Sequence, residues 1–425
     1  MVTDLIHKTY ESILKEELVC AMGCTEPIAI AYASAIIADA LGGEPSVIRA
    51  SFSGNIIKNV KSVIVPSTGG KHGIGSAIAA GIISARPDLK LEVLCALDAS
   101  APEKIEKFLK NTDLSINQMG SSCSFDLKIE AELNSHIATV TISGAHTNVT
   151  GVTLDGEDIT HRYAHSAADE DGDVADRSTL SVEAIVEYAD TADLTELRPL
   201  LKRQIELNMA IAREGIERDY GASIGKLILS FGDDVSRRAR AYAAAGSDAR
   251  MSGCELPVCI ISGSGNQGIT ASVPVVIYAE EIGADEDKML RALIVSDLVT
   301  IHQKTGIGCL SAYCGAISAG VGAGAGICYL MGGDFYLIAH TLVNAVAILS
   351  GTICDGAKPS CAAKIAMAVE AGIMGYEMAR AGKQFYGGDG IVTKGVENTI
   401  RNVGRLAKDG MSETDREIIN IMLGK

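Results

Sequence analysis

Apolar residues recur at helical spacing through most of this chain, and one stretch near the N-terminal end breaks the pattern. Over 4–42, Leu5, Ile6, Tyr10, Ile13 and Leu14 fall on a helical repeat, and a second apolar segment resumes after Gly23-Cys24-Thr25-Glu26-Pro27. Beyond Gly42-Gly43 the texture changes. The segments 47–53, 56–60 and 62–65 are short and β-branched, and 91–97, 125–133 and 136–143 also read as strands, the last two by apolar–polar alternation. Helices at 75–85 and 102–110 interrupt them. The acid-rich stretch 161–178 reads as a loop or linker. Helical periodicity then returns over 181–214, 218–246, 269–283, 286–304, 309–330, 334–352, 360–382 and 411–423.

This succession predicts an α+β protein. A mostly α-helical catalytic domain formed by both chain ends (1–45 and 166–425) would carry an inserted mixed α/β domain (46–165). Length agrees, since 425 residues exceed one ordinary core.

Charge then removes whole classes of partner. A formal net charge of −16 argues against nucleic acid and anionic membranes. The absence of Trp also removes stacking platforms for single strands. Residues 1–17 carry mixed charges and no apolar core of a signal peptide, so a cytoplasmic location is expected. One stretch, 306–333, imitates a membrane span because it holds no charged residue. Nine of its 28 residues are glycine, however, which predicts a closely packed central helix instead.

Three glycine-rich turns carry candidate chemistry. Gly263-Ser264-Gly265-Asn266-Gln267-Gly268 follows the strand-like 258–261 and opens an apolar helix. It is a literal G-x-G-x-x-G, but no β-α-β unit continues from it and no acidic residue closes a second strand. A smaller anion such as an amino-acid carboxylate suits its free N–H groups, with Ser264 and Asn266 adding donors. The turn holding Lys71 and His72 leaves a strand and enters a helix without Walker A spacing, and a solvated turn is the competing reading. Gly144-Ala145-His146-Thr147-Asn148, judged alone, is a polar turn.

The chain has eleven cysteines and no secretion signal, so ligands, catalysts or buried thiols are expected in place of disulfides. Cys20, Cys95, Cys123, Cys254, Cys259 and Cys328 read as core residues. Two clusters stand apart, Cys309 with Cys314, and Cys354 with Cys361. Neither has the C-x₂-C spacing of a zinc ribbon. Cys24 sits at a helix start beside Glu26, where free N–H groups are expected to lower a thiol's pKa.

Taken together, Cys24-Thr25-Glu26-Pro27, Ser53-Gly54-Asn55-Ile56-Ile57-Lys58-Asn59-Val60, the Gly263–Gly268 turn and Ile353-Cys354-Asp355-Gly356-Ala357-Lys358-Pro359-Ser360-Cys361 resemble the L-cysteine desulfidase family, related to the α-chain of iron–sulfur L-serine dehydratase. The resemblance runs almost the full chain in the same order. It departs from the dehydratases in the last two cysteines, between which only six residues lie here, as in the desulfidases.

What the resemblance implies is a [4Fe–4S] cluster on three thiolates, Cys309, Cys354 and Cys361, with Cys314 the rival for the first place. One iron stays open, as a Lewis acid for the sulfur of L-cysteine, and elimination gives pyruvate, ammonia and sulfide without pyridoxal phosphate. Cys24 and Glu26 are the implied catalytic pair, although Cys24 is exchangeable with a ligand. Ser264, Asn266, Gln267, Lys71, His72, His146 and Asn148 are the expected substrate-binding residues. The expected partner is a small amino acid, with a homo-oligomer left open. A dehydratase of L-serine or another β-substituted amino acid is the alternative enzyme, and a non-catalytic iron–sulfur sensor the alternative of another class.

Overall fold

In the computed structural model, which describes residues 3–121, 123–163, 175–308 and 310–424, the protein is an α+β fold, 61% helical with a mixed six-stranded sheet set among helices. Thr3 caps α1 (Asp4–Glu17), whose Tyr10, Ile13 and Leu14 enter the core. Then come β1 (Val19–Met22) and α2 (Thr25–Leu41), which Gly42 closes in the left-handed conformation. The chain continues through β2 (Val47–Phe52), α3 (Gly54–Val60), α4 (Ile74–Ser84) and α5 (Ala101–Asn111). The sheet is completed by β3 (Asp113–Gln118), β4 (Asp126–Leu133), β5 (His136–Ser143), β6 (Val149–Leu154) and β7 (Glu157–Asp158).

Strand order is β3-β2-β4-β5-β6-β7, parallel between β2 and β3 and antiparallel elsewhere. Leu127, Ile129 and Ala131 of β4 alternate with outward residues and are buried, as are Ala138, Val140 and Ile142 of β5. Helix α2 packs on both strands. It also meets α4 backbone to backbone, because a Cβ at Gly81 would collide with the Ala31 carbonyl. The segment 1–45, expected with the helices, therefore divides. Nearly every residue of α2 is buried, so it needs cover all round and takes it from the sheet and α4. Helix α1 joins the helices, with Tyr10 edge-on to Tyr188 at 5.3 Å.

Three expected strands take other forms. Residues 56–60 lie in α3, where a helical turn lets Lys58 reach the half-buried Asp415 and Asn59 the buried Glu26. Residues 62–65 make one isolated bridge, Ile64 to His72. Residues 91–97 fall largely in a 3₁₀ segment, Pro87–Ala96, kinked at Lys90 with φ 46°. Of the six cysteines read as core, Cys254, Cys259 and Cys328 are buried, Cys20 and Cys123 half-buried, and Cys95 exposed.

Among the described residues the rest of the chain is mainly helical, with one further strand. In order it forms α6 (Val182–Thr191), α7 (Leu194–Glu217), α8 (Ile224–Leu229), α9 (Val235–Met251), β8 (Pro257–Ile260), α10 (Gly265–Ile282), α11 (Glu286–Ile307), α12 (Gly315–Leu330), α13 (Phe335–Leu349), α14 (Cys361–Arg380), α15 (Val396–Arg405) and α16 (Ser412–Leu423). Helix α12 is the hub, packed by α10, α11, α13 and α14. Its glycines are the reason: Gly320 and Gly324 abut Ala368 and Gly372 of α14, and Gly322 and Gly326 abut α11, with no room for a Cβ at any of them. Among the described residues no helix is long and apolar enough to cross a membrane. Finally, β1 pairs antiparallel with β8, Cys20 opposite Cys259, and ties the N-terminal strand to the segment leading into α10.

Candidate active site

Four helix starts open onto one cavity. Cys24 and Glu26 come from α2, Asn266 and Gln267 from α10, Cys314 from α12 and Cys361 from α14. His146 arrives from the turn between β5 and β6, Arg250 from the end of α9, and Cys354 from the α13–α14 connection.

Cys24 donates to Oε2 of Glu26 at 3.1 Å, Thr25 donates to the same oxygen at 3.2 Å, and Asn59 Nδ2 donates to Oε1 at 2.9 Å. Burial pushes the Glu26 carboxyl up, but the nearby His146, the Cys24 hydrogen bond and Arg250 outweigh it, and the pKa lies below the ordinary value. Cys24 moves the other way. Burial and the Glu26 charge raise its thiol well above the usual range, against a smaller pull from Arg250. The low thiol pKa expected from a helix start is thus overturned: loss of solvent and an adjacent carboxylate exceed the helix-end field.

His146 is buried, tilted over Phe125 with ring centroids 4.6 Å apart, and its Nε2 has no hydrogen-bond partner. Burial, aided by Arg250 and opposed by Glu26, lowers its pKa. Arg250 is 2% exposed. Its Nη1 donates to Asn266 Oδ1 at 3.1 Å, while Nε and Nη2 are without partners, as is Oε1 of Gln267.

The thiols form the opposite wall. Cys314 donates to Cys354, and that bond, with Lys58 and Lys364 nearby, holds Cys354 below the usual thiol range despite burial. The same contact and burial raise Cys314. Cys361 lies close enough to both for their charges to interact and packs against the small cluster of Cys24, Val63 and Met251. A soft, partly ionised thiol set of this kind fits an iron–sulfur group. Among the described residues no three His, Cys, Asp or Glu side chains close on a single metal ion. A cluster, by contrast, takes its thiolates on different irons and accepts wider spacing.

Of the residues expected from sequence, Cys24, Glu26, His146, Ser264, Asn266, Gln267, Cys354 and Cys361 line this cavity. Lys71, His72 and Asn148 do not. Lys71 pairs with Glu106 at 3.6 Å, His72 bridges Ile64, and Asn148 Nδ2 donates to the Ser143 carbonyl. Each turn leads away from the cavity except at His146. Cys309 lies outside the described residues. Sequence reasoning missed Arg250, Asn59 and Lys304, which also reach the cavity. Arg250 is one of four arginines on α9, and the sequence does not mark it out from the others.

Residues 88–420 match the serine dehydratase alpha chain family. The chain belongs to that family. Members of the serine dehydratase alpha chain family are known as iron–sulfur dependent, and membership points to lyase chemistry of the serine dehydratase type. The chain is also 53% identical to a UPF0597 protein of Desulfitobacterium hafniense, over 99% of this chain and 98% of that one. A UPF0597 protein of Lachnoclostridium phytofermentans is 45% identical over 98% of this chain and all of its own. One of Treponema denticola is 43% identical over 98% of each.

Proposed function

We propose that the protein is an iron–sulfur lyase that eliminates hydrogen sulfide from L-cysteine, giving pyruvate, ammonia and sulfide without pyridoxal phosphate. The observation that carries this reading is the meeting of the Cys24–Glu26 pair with the thiols of Cys314, Cys354 and Cys361 across one cavity. Cys314, Cys354 and Cys361 would hold the cluster, Cys314 being favoured for the first place by its contact with Cys354. Bound there, a [4Fe–4S] cluster with an open iron supplies a Lewis acid for the departing sulfur.

The chain's own residues move the proton. Elimination needs a base at the substrate Cα, and Cys24 faces the cavity with its own S–H directed to ionised Glu26. As Cys24 takes the Cα proton, its original proton passes to Glu26, whose carboxylate is the final acceptor. The Cα–H electron pair forms the Cα–Cβ double bond and the Cβ–S bond breaks. The aminoacrylate released becomes an imine that water hydrolyses to pyruvate and ammonia. His146, with an unpartnered Nε2, adds a polar contact for the substrate.

The family match favours L-serine as the second reading, with the same residues and water as the leaving group. The six-residue spacing between Cys354 and Cys361 favours cysteine. The test is to purify the protein without oxygen, measure iron and acid-labile sulfide, and assay pyruvate from each amino acid. Pyruvate from serine but not cysteine overturns the first reading. A cluster with no pyruvate from either leaves the sensor.

A further inference from the structure

Strands β1 and β8 pair antiparallel outside the six-stranded sheet, with Cys20 directly opposite Cys259. Residues so placed point to the same face of the ladder. The N–H of Cys259 donates to Asn208 Oδ1 at 2.9 Å, its carbonyl accepts from Asn208 Nδ2 at 3.2 Å, and Gly268 packs against that carbonyl. Both backbone polar groups of Cys259 therefore turn away from β1, which makes Cys20 and Cys259 a non-hydrogen-bonded pair. Such pairs bring their Cα atoms to about 4.5 Å, inside the roughly 4.4–6.8 Å that a disulfide spans. Pro257 fits the same register. It stands opposite Met22, at the next non-hydrogen-bonded position, where a missing N–H costs the ladder nothing.

The two sulfurs also share their surroundings. Arg203 lies close enough to both to favour negative charge on each, and Glu92 accepts from the Cys20 thiol at 3.3 Å. Cys20 is half-buried, Cys259 is buried, and both are free thiols. Neither lines the candidate active site, yet the ladder holds two of its edges. Cys24 comes two residues after β1, the Gly263–Gly268 turn follows β8, and Thr25 Oγ1 donates to the Gly263 carbonyl at 2.7 Å.

We propose that Cys20 and Cys259 form a site of reversible oxidation, closing under peroxide to a cross-strand disulfide that braces the two segments carrying these edges. The site is independent of what the cavity catalyses. Cys20, the more accessible, meets the oxidant first: its thiolate attacks one peroxide oxygen, becomes a sulfenic acid and releases hydroxide. The sulfur of Cys259 then displaces the sulfenic hydroxyl, and the S–S bond forms. The two thiols lose two protons and two electrons between them, and hydrogen peroxide takes these up as two molecules of water. Burial raises both thiols, Cys20 with Glu92 beside it to about 11. Closure is therefore slow at neutral pH, and the closed bond resists thiol exchange because its leaving groups are poor.

The test is peptide mapping of the full chain, prepared without oxygen and then treated with hydrogen peroxide and an iron chelator until the exposed Cys95 is oxidised. After free thiols are alkylated, a peptide holding Cys20 is expected joined to one holding Cys259, and dithiothreitol should restore both thiols. Recovery of both as free thiols, Cys20 as a sulfinic acid beside a free Cys259, or either joined mainly to another cysteine would overturn the site. The oxidised chain should also have a higher urea midpoint than the reduced chain, because the bond closes a long loop in the unfolded state. Cys20→Ser, which keeps a donor for Glu92 but no sulfur, should lack that shift. An equal shift in Cys20→Ser, or none in the parent, would overturn the brace.

Discussion

Cys24 donates its S–H to Glu26 across 3.1 Å, and both groups are buried together at the start of α2. The proposed lyase reading uses this hydrogen bond as its proton relay. Cys24→Ala is expected to keep iron content and visible absorption while turnover falls by roughly a hundred- to ten-thousand-fold. Iron falling together with activity would make Cys24 a ligand. Full activity would leave it a packed turn residue.

Cys314 and Cys309 compete for one ligand position, and their single substitutions distinguish them. Because Cys314 contacts Cys354 directly, Cys314→Ala should lose iron and acid-labile sulfide after anaerobic reconstitution, and Cys309→Ala should retain both. The opposite pair of results would move the ligand to Cys309.

Asp297 predicts a pH dependence of stability that does not involve the cavity. It is fully buried, accepts one hydrogen bond from Gln204 Nε2 at 3.0 Å, and has no partner at Oδ2. Burial, only partly opposed by that bond, raises its pKa from 3.8 to about 7. Between those values the folded chain holds a proton that the unfolded chain has released. Stability therefore falls as pH rises through this window and levels off above it, by on the order of 4 kcal/mol. Asp297→Asn should remove the slope, leaving urea midpoints alike near pH 4 and higher than the parent's near pH 8. Parallel pH profiles of parent and variant would contradict this.

Lys58 and Asp415 pair at 2.5 Å, and Lys58 is 1% exposed. Asp415→Asn leaves a buried ammonium without its counter-charge and should cost about 3–5 kcal/mol in chemical denaturation. Adding Lys58→Met to it should recover most of that loss. A double variant no better than the single would show that the pair holds α16 in place by something other than charge.

Legibility from sequence followed the kind of force at work. The hub helix α12 was readable because glycine density and missing charge are themselves the requirements of close packing. The strands β4 and β5 were readable because one face is buried and the other wet. Strand β3 escaped notice: Leu114 and Ile116 are its only apolar residues, both at least partly exposed, as an edge strand allows. Helix α3 was misread because its β-branched run outweighed two polar residues whose partners, Asp415 and Glu26, lie elsewhere in the chain. In the cavity, cysteines and glycine turns announce themselves by type. Arg250 shares α9 with Arg237, Arg238 and Arg240, and only the folded packing singles out the one that is buried.

The cavity joins Cys24 to Cys361, more than three hundred residues further along the chain. During synthesis, therefore, its N-terminal wall waits for a partner while most of the chain is still being assembled. The lining is complete only once the start of α14 has been made.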